Sequence, residues 1–260
     1  VDVALTTAVV PFNDLDALDR RLSEGDIACL LMEPALTNIG IVLPDDGYLA
    51  GVRDITRKHG VLLINDETHT ICAGPGGATA AWDLDPDFVV MGKPIGGGVP
   101  VAAYGMTAEI AERLSKPMLG HEIDVAGVGG TLSGSALAIA AVKATLSTAL
   151  RQEDFDIAIP LAEKFTQGVQ AVIDEHGLPW HVQRLGCRAE YWFCPPPRNG
   201  AQAAAAIDED LDGFMHLWTL NRGVLLAPFH NMSLFCQFHT QADVDAHTSA
   251  FASAVEALVS

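Results

Sequence analysis

Two side chains set the chemistry that this sequence can attempt. Asp66 stands at the end of one apolar run, and Lys93 stands just past another. A lysine captures a carbonyl only as a free amine held in a fixed position, so a nucleophilic lysine needs local confinement. Lys93 has it: Pro94 follows, and after Ile95 come Gly96, Gly97 and Gly98, which let the backbone approach a ligand closely. Opposite a ring nitrogen, Asp66 would keep that nitrogen protonated and make the ring a sink for electrons released at a substrate carbon. The plainer alternatives are a solvated lysine, and an aspartate that caps a helix or completes an ion pair. Gly92-Lys93 also looks like the end of a nucleotide-binding loop. That motif requires Ser or Thr where Pro94 stands and Gly where Asp87 stands, so it fails.

The elements that must deliver these groups follow from the apolar pattern. Residues 61–64, 88–91 and 101–106 read as strands too continuously apolar to be solvated on one face. Residues 3–10 read as another buried strand, and residues 27–33 as an apolar run ending in Glu33. Helices are expected after Asp14 and after Asp45 or Asp46, the second closed by Gly60 with Arg57, Lys58 and His59 in its last turn. Strands alternating with helices predict an α/β fold, a mostly parallel sheet covered by helices. Ligands then sit beyond the carboxyl ends of the strands, where Glu33, Asp66 and Lys93 all fall.

Further along, Thr107 is expected to cap a short helix, residues 133–152 form a long alanine-rich helix, and residues 156–176 another. Paired strands at 180–183 and 187–194, a helix over 203–221, short strands at 224–226 and 233–238 and a helix capped near Thr240 complete an α+β portion. The expected division is a large domain, residues 1–150, followed by a smaller one, residues 151–260.

Hydrophobic residues make up 49% and charged residues 18% of the 260, which excludes a disordered chain. The formal net charge of −18 argues against nucleic acid or an anionic membrane as partner. No apolar run reaches the ~18 residues of a membrane span. The five cysteines form no C-x-x-C pair, which points to reduced core thiols in the cytoplasm. The histidines show no metal-ligand spacing, so no metal is expected; Asp243 and His247, four apart on a helix, read as surface partners. The sequence opens at Val1 with no initiator methionine or signal peptide, and reads as starting partway through a protein.

Three motifs in order carry a family resemblance: Asp66-Glu67-Thr68-His69-Thr70; Met91-Gly92-Lys93-Pro94 with Gly96-Gly97-Gly98; and Gly130-Thr131-Leu132-Ser133-Gly134. With Glu33-Pro34 and Asn38-Ile39-Gly40, they resemble the class III, pyridoxal-phosphate-dependent aminotransferases of fold type I. The resemblance implies that Lys93 forms the internal aldimine with pyridoxal 5'-phosphate and shuttles the proton. It implies that Asp66 pairs with the pyridine nitrogen, with Glu67 as a supporting neighbour, and that Thr68 packs on the ring in place of the usual Val. Thr131 would bind the cofactor phosphate of the other subunit, making the active unit a homodimer with shared sites; a hydroxyl at a helix start suits an anion.

The segment from Leu220 to Met232 resembles the β-phenylalanine-type transaminases more than the glutamate-1-semialdehyde aminomutases of the same branch. It implies a β-amino-acid donor, a 2-oxo-acid acceptor and Arg222 as the substrate-carboxylate ligand. Arg222 also fits a helix C-terminus, and Met232 and Phe229 fit either a pocket wall or ordinary core. An intramolecular aminomutase is the alternative activity, and a cofactor-binding sensor the non-enzymatic one. The family's Ser-Gly-Thr phosphate loop and ring-stacking aromatic have no counterpart here. The resemblance therefore implies the later portion of the family's length, inactive by itself.

Overall fold

A computed structural model describes residues 2–118, 133–227 and 229–260. Its first sheet holds β1 (Cys29–Met32), β2 (Leu62–Asp66), β3 (Phe88–Met91) and β4 (Ala103–Met106), in that order. The first three run parallel and β4 runs antiparallel to β3, with Asp66 opposite Val90. The carboxyl ends of three neighbouring strands thus share one edge, and Glu33, Asp66 and Lys93 emerge along it. Residues 3–10 add no strand: residues 3–5 turn in a 3-10 helix capped by Asp2, and Val3, Leu5 and Val9 are exposed. An apolar run becomes a strand only when a neighbour completes its ladder, and none among the described residues does.

The helices around this sheet start and stop for local reasons. α1 (Leu15–Leu22) begins where the Asp14 carboxylate accepts from the Ala17 N–H at 2.8 Å. α2 (Tyr48–His59) ends at Gly60, whose φ of +67° suits glycine. Its start is Gly47 and not an aspartate, because Asp45 is engaged by Arg198 and by the Asn13 side chain. Arg53 of α2 forks onto Asp87 at 2.8 and 3.1 Å, and Asp87 also accepts from the Leu63 N–H, locking helix to sheet. α3 (Gly77–Ala81) follows the β2 loop. α4 (Ala108–Met118) starts after Thr107 as expected, and α5 (Ala136–Thr148) buries none of its own side chains.

A second sheet follows: β5 (His181–Leu185), β6 (Arg188–Trp192) and β7 (Met232–Leu234), all antiparallel. It packs on α6 (Gln152–Glu175) and on α9 (Gln241–Val259), which starts at a Thr240/Asp243 capping box. The single helix expected over 203–221 is two, α7 (Gly200–Ala204) and α8 (Glu209–Leu220). Asp208 breaks the run by accepting from the Leu211 N–H and starting a new helix. Residues 224–226 form no strand. Of the cysteines, Cys72 and Cys187 are buried, Cys194 and Cys236 are half-buried and Cys29 is exposed, so only part of the set is core. No helix among the described residues is long and apolar enough to cross a membrane.

His247 corrects the surface pairing expected of it. Asp243 is spent on the helix cap, whereas His247 is buried between Phe165, Tyr191 and Phe251 with neither ring nitrogen hydrogen-bonded. Burial pulls its pKa down to about 4. The folded state therefore resists a proton that the unfolded chain accepts near pH 6.5. Stability from this group is complete above that pH and drains away as pH falls toward 4, by on the order of 3 kcal/mol. His247→Phe should raise the urea midpoint and flatten its pH dependence between 6.5 and 4; a midpoint lowered at neutral pH would contradict this.

Candidate active site

Lys93 opens a 3-10 turn, residues 93–96, directly after β3, with a left-handed φ of +48°. A side-chain-bearing residue held there costs roughly 1–3 kcal/mol and persists only where its surroundings fix it. The glycines after it let α5 close in: at Gly97 an added Cβ would meet Thr145 Oγ1 at 2.7 Å. Asp66 ends β2 with one carboxylate oxygen, Oδ1, held by the Thr68 N–H at 2.9 Å; Oδ2 takes no hydrogen bond among the described residues. Thr68 and Lys93 both line a cavity of about 480 Å³ whose wall is mainly apolar.

The loop after β2 is pinned by Glu67. Its buried carboxylate accepts from the Thr70 hydroxyl, the Ala78 N–H at 3.0 Å, and both the N–H and hydroxyl of Thr79. Gly77 is obligatory beside it: φ is +68°, and a Cβ would lie 2.2 Å from Glu67 Oε2. The expected supporting neighbour of Asp66 thus acts through the backbone that carries Thr68 and His69.

His69 is the residue that sequence reasoning set aside. Its Nε2 touches Lys93 Nζ, while its Nδ1 lies 2.9 Å from Thr37 Oγ1 and 3.2 Å from the Arg188 guanidinium. Thr37, fully buried, also contacts the Glu33 carboxylate. Arg188 of β6 pairs with Glu190 at 3.0 Å and donates to the Thr37 carbonyl, and His230 meets the other Glu190 oxygen at 3.1 Å. Burial, then the positive fields of Lys93, Arg188 and His230, pull the His69 pKa down to about 4. Burial raises that of Glu33, and the charge of Asp66 adds to the rise. The sequence held two signals for this network, Glu33 at a strand end and a ring-bearing residue, His69, three after Asp66; neither spacing alone marks a cluster.

A family model for aminotransferase class-III matches residues 6–249. The chain belongs to the class-III aminotransferases. Glutamate-1-semialdehyde 2,1-aminomutase of Desulfitobacterium hafniense is 35% identical over 247 residues, covering 94% of this chain and 56% of that protein. The structure of a glutamate-1-semialdehyde-aminomutase from Pseudomonas aeruginosa PAO1 superposes with a TM-score of 0.94 at 44% identity, covering 99% of this chain and 58% of the other. A variant of that aminomutase has been solved in complex with PMP. A β-phenylalanine aminotransferase from Variovorax paradoxus shares the fold, with a TM-score of 0.85 at 23% identity. This class-III chain spans a little over half the length of the relatives it matches, and its fold is that of the fold type I enzymes.

Within this aminotransferase chain the structure gathers Asp66, Thr68 and Lys93 on one edge. Thr131 lies outside the described residues. Arg222 stands apart from the cavity wall: its guanidinium sits 3.9 Å over the Trp218 ring and donates to the Trp218 carbonyl at 3.2 Å, closing α8. Met232 lines the cavity, whereas Phe229 is almost fully exposed. The guanidinium at the wall is that of Arg188.

Proposed function

We propose that this class-III chain serves pyridoxal-phosphate-dependent transfer of an amino group from a β-amino acid to a 2-oxo acid. The carrying observation is one sheet edge that holds a carboxylate with one uncommitted oxygen, Asp66, beside a backbone-confined amine, Lys93, which with Thr68 lines an apolar cavity. These residues fit the cofactor: Asp66 would pair with its ring nitrogen, Thr68 would pack on its face and Lys93 would hold its aldehyde carbon. When bound, pyridoxal phosphate supplies the carbonyl and the electron sink. Lys93 Nζ, freed from the aldehyde carbon, would be the group placed to take a proton from the substrate carbon and return it. The apolar wall, with Ile71, Phe155 and Met232, suits an apolar donor substituent, and the fixed charge of Arg188 beside it suits a carboxylate.

Thr131 as phosphate ligand of the other subunit, and hence a homodimer, is part of the same proposal and rests on the motif at 130–134. The division near residue 150 is supported by the two separate sheets. The names of the relatives at 35% and 44% identity favour a second reading, an intramolecular aminomutase. A donor screen decides between them: turnover of β-amino acids should require an added 2-oxo acid, and turnover without one would establish the mutase. In the same screen Arg222→Ala should leave the preference for carboxylate-bearing donors within about twofold, as expected of a surface change. A selective loss for those donors would return the carboxylate to Arg222.

A further inference from the structure

One continuous hydrogen-bonded line runs from Lys93 Nζ to His69 Nε2, from His69 Nδ1 to Thr37 Oγ1, and from Thr37 Oγ1 to Glu33 Oε2. Every member can both give and accept a proton in at least one of its forms. We infer that Glu33, Thr37 and His69 form a proton relay for the Lys93 amine, with His69 and Thr37 as positioning residues; the inference rests on Lys93 being the reactive amine proposed above.

The transfer balances with one proton and no electrons. In the first arrangement the Lys93 ammonium donates to Nε2, Nδ1–H donates to Thr37 Oγ1, and the Thr37 hydroxyl donates to the ionised Glu33. Each proton then hops one partner along. In the second arrangement Glu33 is a neutral acid donating to Thr37, the hydroxyl donates to Nδ1, and Nε2–H donates to the lone pair of a free Lys93 amine. No member is left unpaired in either.

Two features of the surroundings favour the second arrangement. An arginine can only donate, so the Arg188 N–H 3.2 Å from Nδ1 wants a lone pair there. Burial also makes the neutral acid the easier form of Glu33, and it keeps the His69 ring from storing the proton as a cation. The charged or titratable groups facing His69 are Lys93, Arg188, His230 and Asp66; those facing Glu33 are Asp66, Arg188 and Lys93. The Thr37 hydrogen bond and the charges of Arg188 and Lys93 pull Glu33 the other way, toward the ionised form of the first arrangement. Thr37 is the middle of the relay: its hydroxyl joins Glu33 to His69, and its carbonyl holds Arg188 beside the His69 ring.

Thr37→Val keeps the buried shape and cuts the line, and Thr37→Ser restores it. Lys93 acetylation by acetic anhydride, read by mass spectrometry across pH in the cofactor-free full chain, reports the free amine without any need for cofactor. Labelling at neutral pH should fall about tenfold or more in Thr37→Val and in Glu33→Gln, and recover in Thr37→Ser. With the cofactor present, capture of pyridoxal phosphate should slow by the same factor in Thr37→Val, and added imidazole should restore the rate. Wild-type labelling in Thr37→Val and in Glu33→Gln would overturn the relay. A wild-type protein whose Lys93 fails to hold pyridoxal phosphate, yet labels as described, would overturn the cofactor reading and leave the relay standing.

Discussion

Lys93→Ala should lower amino-group transfer by about 10²–10⁴-fold from the lost proton transfer alone, with the lost attachment of the cofactor adding to it. Among the described residues Lys93 is the lysine that lines the cavity, and its left-handed backbone sets the amine toward His69. Supplying free amines should recover only part of the loss, since a diffusing amine lacks the fixed position that the turn at residues 93–96 supplies. Single-turnover rates of the wild-type and Lys93→Ala proteins with a bound donor are the measurement. A variant within tenfold of wild type would mean that the proton moves by another group.

Glu67→Ala should be among the most destabilising changes available to the chain, by on the order of 4 kcal/mol. It removes one buried carboxylate and strands four donors: two hydroxyls, of Thr70 and Thr79, and two N–H groups, of Ala78 and Thr79. Each buried donor left without a partner costs about 1–3 kcal/mol, offset in part as the loop relaxes. Because the same loop carries Thr68 and His69, the loss should extend to cofactor retention. Urea unfolding at neutral pH gives the first effect, and cofactor loss on dialysis the second. Glu67→Gln, which keeps the shape and one acceptor, should fall between. An unchanged midpoint in Glu67→Ala would show that the loop is held elsewhere.

What the sequence revealed and what it hid divide along physical lines. Strand ends were legible because continuous apolar runs stop where the chain turns polar, so Asp66 and Lys93 could be placed on one rim. Caps were legible for the same local reason: Asp14, Gly60 and Thr240 do what their residue types favour. The run at 3–10 was misleading because apolarity alone does not make a strand without a ladder partner, and none of the described residues pairs with it. The helix over 203–221 was overextended because Asp208 interrupts it through one side-chain hydrogen bond, a choice invisible to periodicity. The relay was hidden because Glu33, Thr37, His69 and Lys93 come from three separate loops that meet only at the edge of the first sheet; Arg188 was hidden because it reaches Thr37 and His69 only when the second sheet packs against those loops. Arg222 looked like a substrate ligand from its segment, yet a stacked indole and a helix-end carbonyl occupy it in the fold.

Lys93 is the proposed attachment point of pyridoxal phosphate. Borohydride reduction of the protein with the cofactor bound, followed by peptide mass mapping, fixes that bond permanently and locates it. The added mass should fall on the peptide that contains Lys93 and vanish in Lys93→Ala. A label on another lysine, or none on a protein that still transfers amino groups, would contradict attachment at Lys93.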